Sequence, residues 1–174
     1  FNQALGMVIV QDLIRGLTSL SQEQFTVNLL EKYHKYPHQK FNTPAEVDMY
    51  KQVEDFIISG KESVKSEFPY RETVGCLIWL SSVTRPDISN VVRYLSRFVS
   101  NFHDLHVEIL QRLLGYLNNT KNLGIVYDKS SKELNKIVAW SDASYADDFL
   151  TGRSTWGSVL MFNGGPIMWK SVLS

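Results

Sequence analysis

Residues 70–98 read YRETVGCLIWLSSVTRPDISNVVRYLSRF, and the spacing within them decides the fold class. Tyr70, Val74, Leu77, Ile78 and Ser81 recur every three or four residues, the period of a helix with one buried face. A second start follows at once. Thr84 stands where an N-cap would stand, Pro86 falls in the first turn, and Asp87 lies three residues past the cap, where a negative charge suits the helix dipole. Ile88, Val91, Val92, Leu95 and Phe98 continue as an apolar stripe, and a third helix is expected from Asn101 through Leu105, Ile109, Leu113 and Leu117. The asparagines and glycine of LNNTKNLG end it, because they favour turns.

Upstream, ALGMVIVQDLIRGLTSLSQ places Gly16 between two apolar runs and reads as a short hairpin. Ser21 and Gln24 have capping-box spacing, and Phe25, Leu29, Leu30 and Tyr33 recur at helical spacing. A helix is therefore expected over about 22–35, with Pro37 helping to end it. Residues 36–68, with Pro44, Gly60 and mixed charge, read as an irregular connector with room for short helical turns.

Downstream the period shortens to that of strands. LGIVYD, KIVAWSD, STWGSVLMFN and GPIMWKS are rich in β-branched and aromatic residues, and FNGGPIMW reads as a hairpin. The expected class is α+β: an N-terminal hairpin, a helical bundle, and an antiparallel sheet of three or four strands. The expected divisions are 1–68, 69–122 and 123–174. A sheet of this kind has one face to cover, and the sequence after it supplies no helix.

Lys plus Arg and Asp plus Glu number 18 each, so no global field draws the chain to nucleic acid or to an acidic membrane, and any nucleic-acid contact must be local. Cys76 has no partner for an internal disulfide and reads as a small buried hydrophobe in a reducing compartment. No apolar run approaches the roughly eighteen residues that a bilayer requires. The chain opens at Phe1 without a charged and apolar leader, so a soluble fragment with no membrane partner is expected.

Taken in order, YRxxxGxLxWLxxxTRPDI, LSRF, RLLGYLxxT and WSDASYADDFLTGRSTWG resemble the Pol polyprotein of copia-type LTR retrotransposons. The likeness lies beyond the reverse transcriptase active site, through thumb and connection into the start of ribonuclease H. LGMVIVQDLIRGLTSLSQEQF looks like the family's last palm strands and primer-grip hairpin. The resemblance implies thumb helices that lie along a template–primer duplex and hold phosphates without reading sequence. Arg71, Arg85, Arg93, Arg97 and Arg112, with Arg153 of RSTWG, are the implied contacts. Relatives carry a basic KR…LRYLKGT stretch where this chain has Gln111, Gly115, Asn118 and Asn119, keeping Arg112, Tyr116, Leu117 and Thr120. Weaker duplex affinity is expected.

The resemblance also bounds the chemistry. Polymerisation draws on a YVDD hairpin, and the ADD of 146–148 lacks its Tyr-Val. Ribonuclease H chemistry uses two Mg²⁺ ions about 4 Å apart, clamped by several carboxylates. Asp142 takes the place of the first of these, the metal-binding and catalytic candidate; Ser144, Tyr145 and Asp147 stand where the family has Asp, Trp and Gly. The chain ends at IMWKSVLS before the family's STEAEY glutamate, and one carboxylate does not hold two Mg²⁺ ions against their hydration. Asp147 and Asp148 read as a hydrated turn. His34 and His38 have i, i+4 spacing interrupted by Pro37, and His103 with His106 suits capping or packing better than metal ligation.

The parent would copy RNA into DNA and degrade the RNA strand of the hybrid. This piece is expected to be silent alone, to bind an RNA/DNA hybrid or template–primer duplex weakly, and to work beside the rest of Pol. The implied location is cytoplasmic, in the parent element's virus-like particle, or nuclear. The alternative is a domesticated, non-catalytic module that binds nucleic acid or protein.

Overall fold

Asp12 closes the turn between β-strands at Met7–Asp12 and Leu17–Ser21. Its Oδ1 accepts the backbone N–H groups of Ile14 (3.1 Å) and Arg15 (2.9 Å), and Gly16 adopts φ 70°, which a side chain would disfavour. The computed structural model describes residues 3–4, 6–36, 39–60 and 66–174. Pro37 and His38, expected to end the first helix and to face His34, lie outside the described residues.

Around that turn β2 (Met7–Asp12) pairs antiparallel with β3 (Leu17–Ser21), and β1 (Gln3–Ala4) adds a short edge. Then come α1 (Glu23–Lys32), α2 (Val47–Ile58), α3 (Tyr70–Val83), a 3-10 turn (Pro86–Ile88), α4 (Ser89–Ser96) and α5 (Asp104–Asn119). β4 (Gly124–Asp128), β5 (Ile137–Asp148), β6 (Arg153–Phe162) and β7 (Gly165–Leu173) complete the chain. The α+β class holds, with five α-helices and two antiparallel sheets among the described residues.

Five local expectations are corrected. The strand expected to open the C-terminal sheet, β4, instead pairs with β3, from Leu17↔Asp128 to Ser21↔Gly124, and completes a β1-β2-β3-β4 sheet. Gly124 permits this approach, since a Cβ there would lie 2.2 Å from the Leu20 carbonyl oxygen. The connector contains the twelve-residue α2. Met49, Tyr50, Val53 and Ile57 recur at helical spacing within it, Val53 is 1% exposed, and Tyr50 rests on Tyr94 with ring centroids 4.4 Å apart. Ser21 belongs to β3 and caps nothing: Gln22 precedes α1, and its buried Oε1 accepts the Thr84 hydroxyl (2.9 Å). Thr84 therefore closes α3 rather than opening α4, and α5 starts at Asp104 with His103 as its cap.

Leu77, Leu80, Ile88, Leu95, Leu110, Leu113, Leu114 and Leu117 are fully buried and join the helices into one core. Ile78, expected in that core, is 44% exposed, because the buried stripe of α3 turns through Leu80 and Ser81. No helix among the described residues is long and apolar enough to cross a membrane. Gly115, read from the sequence as a lost side chain, is a packing requirement. A Cβ there would sit 2.0 Å from the Gln39 carbonyl oxygen and 2.8 Å from the Phe41 ring. Gly115→Ala is expected to cost about 1–3 kcal/mol, seen as a lower urea midpoint with an unchanged m-value.

β5, β6 and β7 form the second sheet. The β6–β7 hairpin turns through Asn163 (φ 48°) and Gly164 (φ 80°), the two positive values that a two-residue hairpin loop demands. Among the bonds that fix the sheet to the helices, Trp169 Nε1 donates to the Ser81 carbonyl (2.7 Å), and Arg93 Nε donates to Ser171 Oγ (3.2 Å).

Candidate nucleic-acid interface and the Asp142 strand

The six candidate arginines stand in different surroundings. Arg85 is 2% exposed and donates to both carboxylate oxygens of Asp87 and to the carbonyl and hydroxyl oxygens of Thr120, so it presents no surface to a phosphate. Arg112 pairs with Glu46 (2.8 Å), donates to Thr43 Oγ1 and lies over the Phe41 ring, where it fastens the segment before α2 onto α5. Arg97 donates to Asp148 Oδ2 (2.6 Å). Arg93, one turn earlier, reaches Asn90, Ser171 and, at 3.4 Å, Thr155, and burial together with the Arg97 charge lowers its pKa. Arg71 is exposed beside Ser100, and Arg153 is exposed at the start of β6. Arg71 and Arg153 are thus the most accessible of the six.

The aspartates of AWSDASYADD separate equally clearly. Asp142 lies within β5, exposed, with Oδ1 accepting the Ala143 N–H (2.9 Å). Asp147 Oδ1 accepts the Thr155 N–H (2.7 Å). The expectation of a hydrated turn fails for Asp148, which is 4% exposed, paired with Arg97, and holds the Thr151 hydroxyl and the Leu150 N–H. The cause is a β-bulge between Ser144 and Asp148, with Ala146 at φ 49°. Residues 145–147 stand opposite Ser154 alone, two more than regular pairing allows, so the bulge carries Asp148 back to the face of Ser144 and Asp142, the face that meets α4. Beside it Glu54 of α2 is 3% exposed, and burial, then the Asp148 charge, push its pKa up. Glu54 carried no signal in the sequence beyond its place on the overlooked α2.

A pair of Mg²⁺ ions does not fit these residues. Among the described residues no three His, Cys, Asp or Glu side chains are grouped closely enough to hold a metal, and the carboxylates of Asp147 and Asp148 are engaged elsewhere. His106 is a cap and a packing residue: its Nδ1 accepts the His103 N–H (3.0 Å) among the rings of Tyr70, Tyr94 and Phe98.

Around Asp142 a cleft of about 590 Å³ opens between the 86–90 turn and the sheet. Its presence was not legible in the sequence, because it depends on how the helices seat on β7. The period-2 pattern of β5 did carry one clue, placing Trp140 and Asp142 on the same face.

No protein-family model matches the chain, and no solved structure matches it. Curated relatives do. It is 38% identical over 103 residues to the secreted RxLR effector protein 161 of Plasmopara viticola, spanning 59% of this chain and 71% of that protein. It is 30% identical over 173 residues to the retrovirus-related Pol polyprotein from transposon TNT 1-94 of Nicotiana tabacum, spanning 98% of this chain. It is 33% identical over 152 residues to the Pol polyprotein from transposon RE1 of Arabidopsis thaliana, spanning 87% of this chain. The chain covers only 13% and 10% of the length of these two polyproteins. The chain belongs to the family of retrovirus-related Pol polyproteins of copia-type transposons.

Proposed function

We propose that the chain corresponds to the part of Pol that leads from the reverse transcriptase thumb and connection into ribonuclease H, and that its own role is to hold a hybrid duplex without cutting it. The observation that carries this reading is the ordered motif set, YRxxxGxLxWLxxxTRPDI followed by a strand bearing Asp142, within a match that spans 98% of the chain. The arginine surroundings support a weak grip. Three of the six candidates are paired with carboxylates, so phosphate contact falls chiefly to Arg71 and Arg153.

The purified chain mixed with an RNA/DNA hybrid in Mg²⁺ or Mn²⁺ is expected to show no turnover. Its log K should fall against log salt with a slope of roughly −2 for two phosphates, and an Arg71→Ala, Arg153→Ala double variant should flatten that slope. Hybrid cleavage that Asp142→Asn abolishes would overturn the silent part of the reading. A salt-independent, undiminished affinity in the double variant would overturn the duplex-holding part.

One observation favours a second reading, a non-catalytic module working outside Pol: the likeness to a protein named a secreted effector, over 71% of that protein's length. A hybrid affinity indistinguishable from that for unrelated polyanions would favour this reading.

A further inference from the structure

The cleft beside Asp142 has the construction of a ligand site. Residues directly opposite one another in an antiparallel sheet share a face, so Trp140, Val159 and Trp169 form one row across the three strands. Asp142, Gly157 and Ser171 form the next row on that face, about 7 Å further along. Pro86 and Asn90 hang over these rows from the turn that opens α4, and the β5 side stays open. Trp169 is fixed as the inner wall by its bond to the Ser81 carbonyl, whereas Trp140, on the edge strand, is 64% exposed. At the centre Gly157 leaves the floor low: a Cβ there would meet nothing nearer than the Lys170 carbonyl oxygen at 3.6 Å. A glycine inside a strand weakens the strand and is characteristic of a place where a ligand comes close to the backbone.

The chemistry of the lining selects what enters. An exposed indole offers a stacking surface to any planar ring. A carboxylate only accepts, so the edge of that ring must carry N–H donors. Asp142 Oδ1 takes the Ala143 N–H, and among the described residues Oδ2 has no partner. Asp87 is neutralised by Arg85, but Asp142 and Asp147 set two carboxylates against the single Lys170 in the lining, which disfavours entry by a phosphate. A base inside a duplex has both faces covered, so the ring must come from an unpaired nucleotide.

We propose that this cleft binds an unpaired nucleobase, stacked on Trp140 above Gly157 with its N–H edge on Asp142, and that guanine, with two adjacent donors, fits it best. The proposal takes its ligand class from the nucleic-acid reading above, but it uses different residues from the duplex contacts. Adenine, cytosine and uracil each offer a single donor group to the same carboxylate and should bind more weakly.

The test is calorimetric titration of the full chain with GMP, AMP, CMP and UMP, followed by short single-stranded RNAs of one base each. GMP is expected to bind most tightly. Trp140→Ala should weaken it roughly five- to a hundredfold, the range found when a stacked base loses its ring, and Asp142→Asn should erase the preference for GMP. Trp140 is exposed, so its variant should keep the wild-type melting temperature, which is measured in parallel. Saturation-transfer NMR of GMP against wild type and Trp140→Ala supplies a second readout independent of heat. Absence of saturable nucleotide binding, equal affinity in the wild type and both variants, or preferential binding of arginine amide would each overturn the proposal. The Arg71→Ala, Arg153→Ala variant separates the two readings: it should lose the hybrid and keep GMP. Hybrid binding without GMP binding ends the cleft proposal alone, and GMP binding without hybrid binding ends the duplex reading alone.

Discussion

Arg85→Ala is expected to destabilise the protein by about 2–3 kcal/mol, the loss of charge-assisted hydrogen bonds around a buried guanidinium whose partner carboxylate is 34% exposed. Arg85 donates to Asp87 through Nε (3.0 Å) and Nη2 (2.8 Å), and to Thr120 through Nη1 (3.0 Å) and Nη2 (2.8 Å). One guanidinium thereby ties the turn before α4 to the last turn of α5. Its removal leaves the Asp87 carboxylate with the Tyr116 hydroxyl (2.8 Å) and a backbone N–H, and leaves the Thr120 carbonyl without this donor. Burial alone would push the Asp87 pKa up, but the hydrogen bonds and charge of Arg85 outweigh it and hold the carboxyl below its ordinary value. A depressed carboxyl contributes stability above its unfolded pKa and loses it as pH falls through the folded one. The gap between wild type and Arg85→Ala in urea unfolding should therefore be full at pH 7 and shrink below about pH 4. Equal midpoints at pH 7 would show that the pair contributes nothing.

Acidification from pH 6.5 to 4 should itself cost about 3 kcal/mol through His106, at about 1.4 kcal/mol per pH unit. His106 is fully buried, and burial, then the His103 charge, push its pKa down to about 4. Within that window the unfolded chain, with a histidine near 6.5, carries a proton that the folded chain refuses. Stability must then fall with pH. Glu54, whose pKa burial raises, acts in the opposite direction over the same range, so the comparison is made against His106→Asn, which retains Glu54. Urea midpoints at pH 7, 5.5 and 4.5 should drop steeply for the wild type and little for the variant. Parallel profiles would exclude His106 as the titrating group.

The helices were legible because their apolar residues repeat with a strong period: the buried faces of α3, α4 and α5 are those that Val74, Leu77, Leu95 and Leu113 announce. The α2 helix was hidden by the charged residues on its outer side and by Pro44 and Gly60 around it, although Met49, Val53 and Ile57 kept the period. Caps were misread for a different reason. Thr84 and Ser21 have the right chemistry for an N-cap, but a hydroxyl bonds to whichever partner the tertiary fold brings near, and Gln22, 62 residues away from Thr84, is beyond any local rule. The same limit applies at Arg85 and Arg97. Sequence gives their charge, while only the packed structure shows that Asp87 and Asp148 already neutralise it. Asp142 was placed correctly on a strand because alternation in AWSDAS is local; Asp148 was not, because the strand continues through a two-residue bulge after Ser144, and Arg97, the partner that buries Asp148, comes from a distant helix.

The pairing of β3 with β4 also fixes an order of events during synthesis. Leu17–Ser21 leaves the ribosome about a hundred residues before its partner Gly124–Asp128, a delay of several seconds at ordinary elongation rates. Throughout that interval the outer side of β3 is a bare template of backbone donors and acceptors. Closing so long a loop is entropically unfavourable until the helices between its ends have condensed. The nascent helical bundle therefore acts as the clamp that delivers β4, and any substitution that slows its collapse prolongs the period in which β3 is open to the wrong strand.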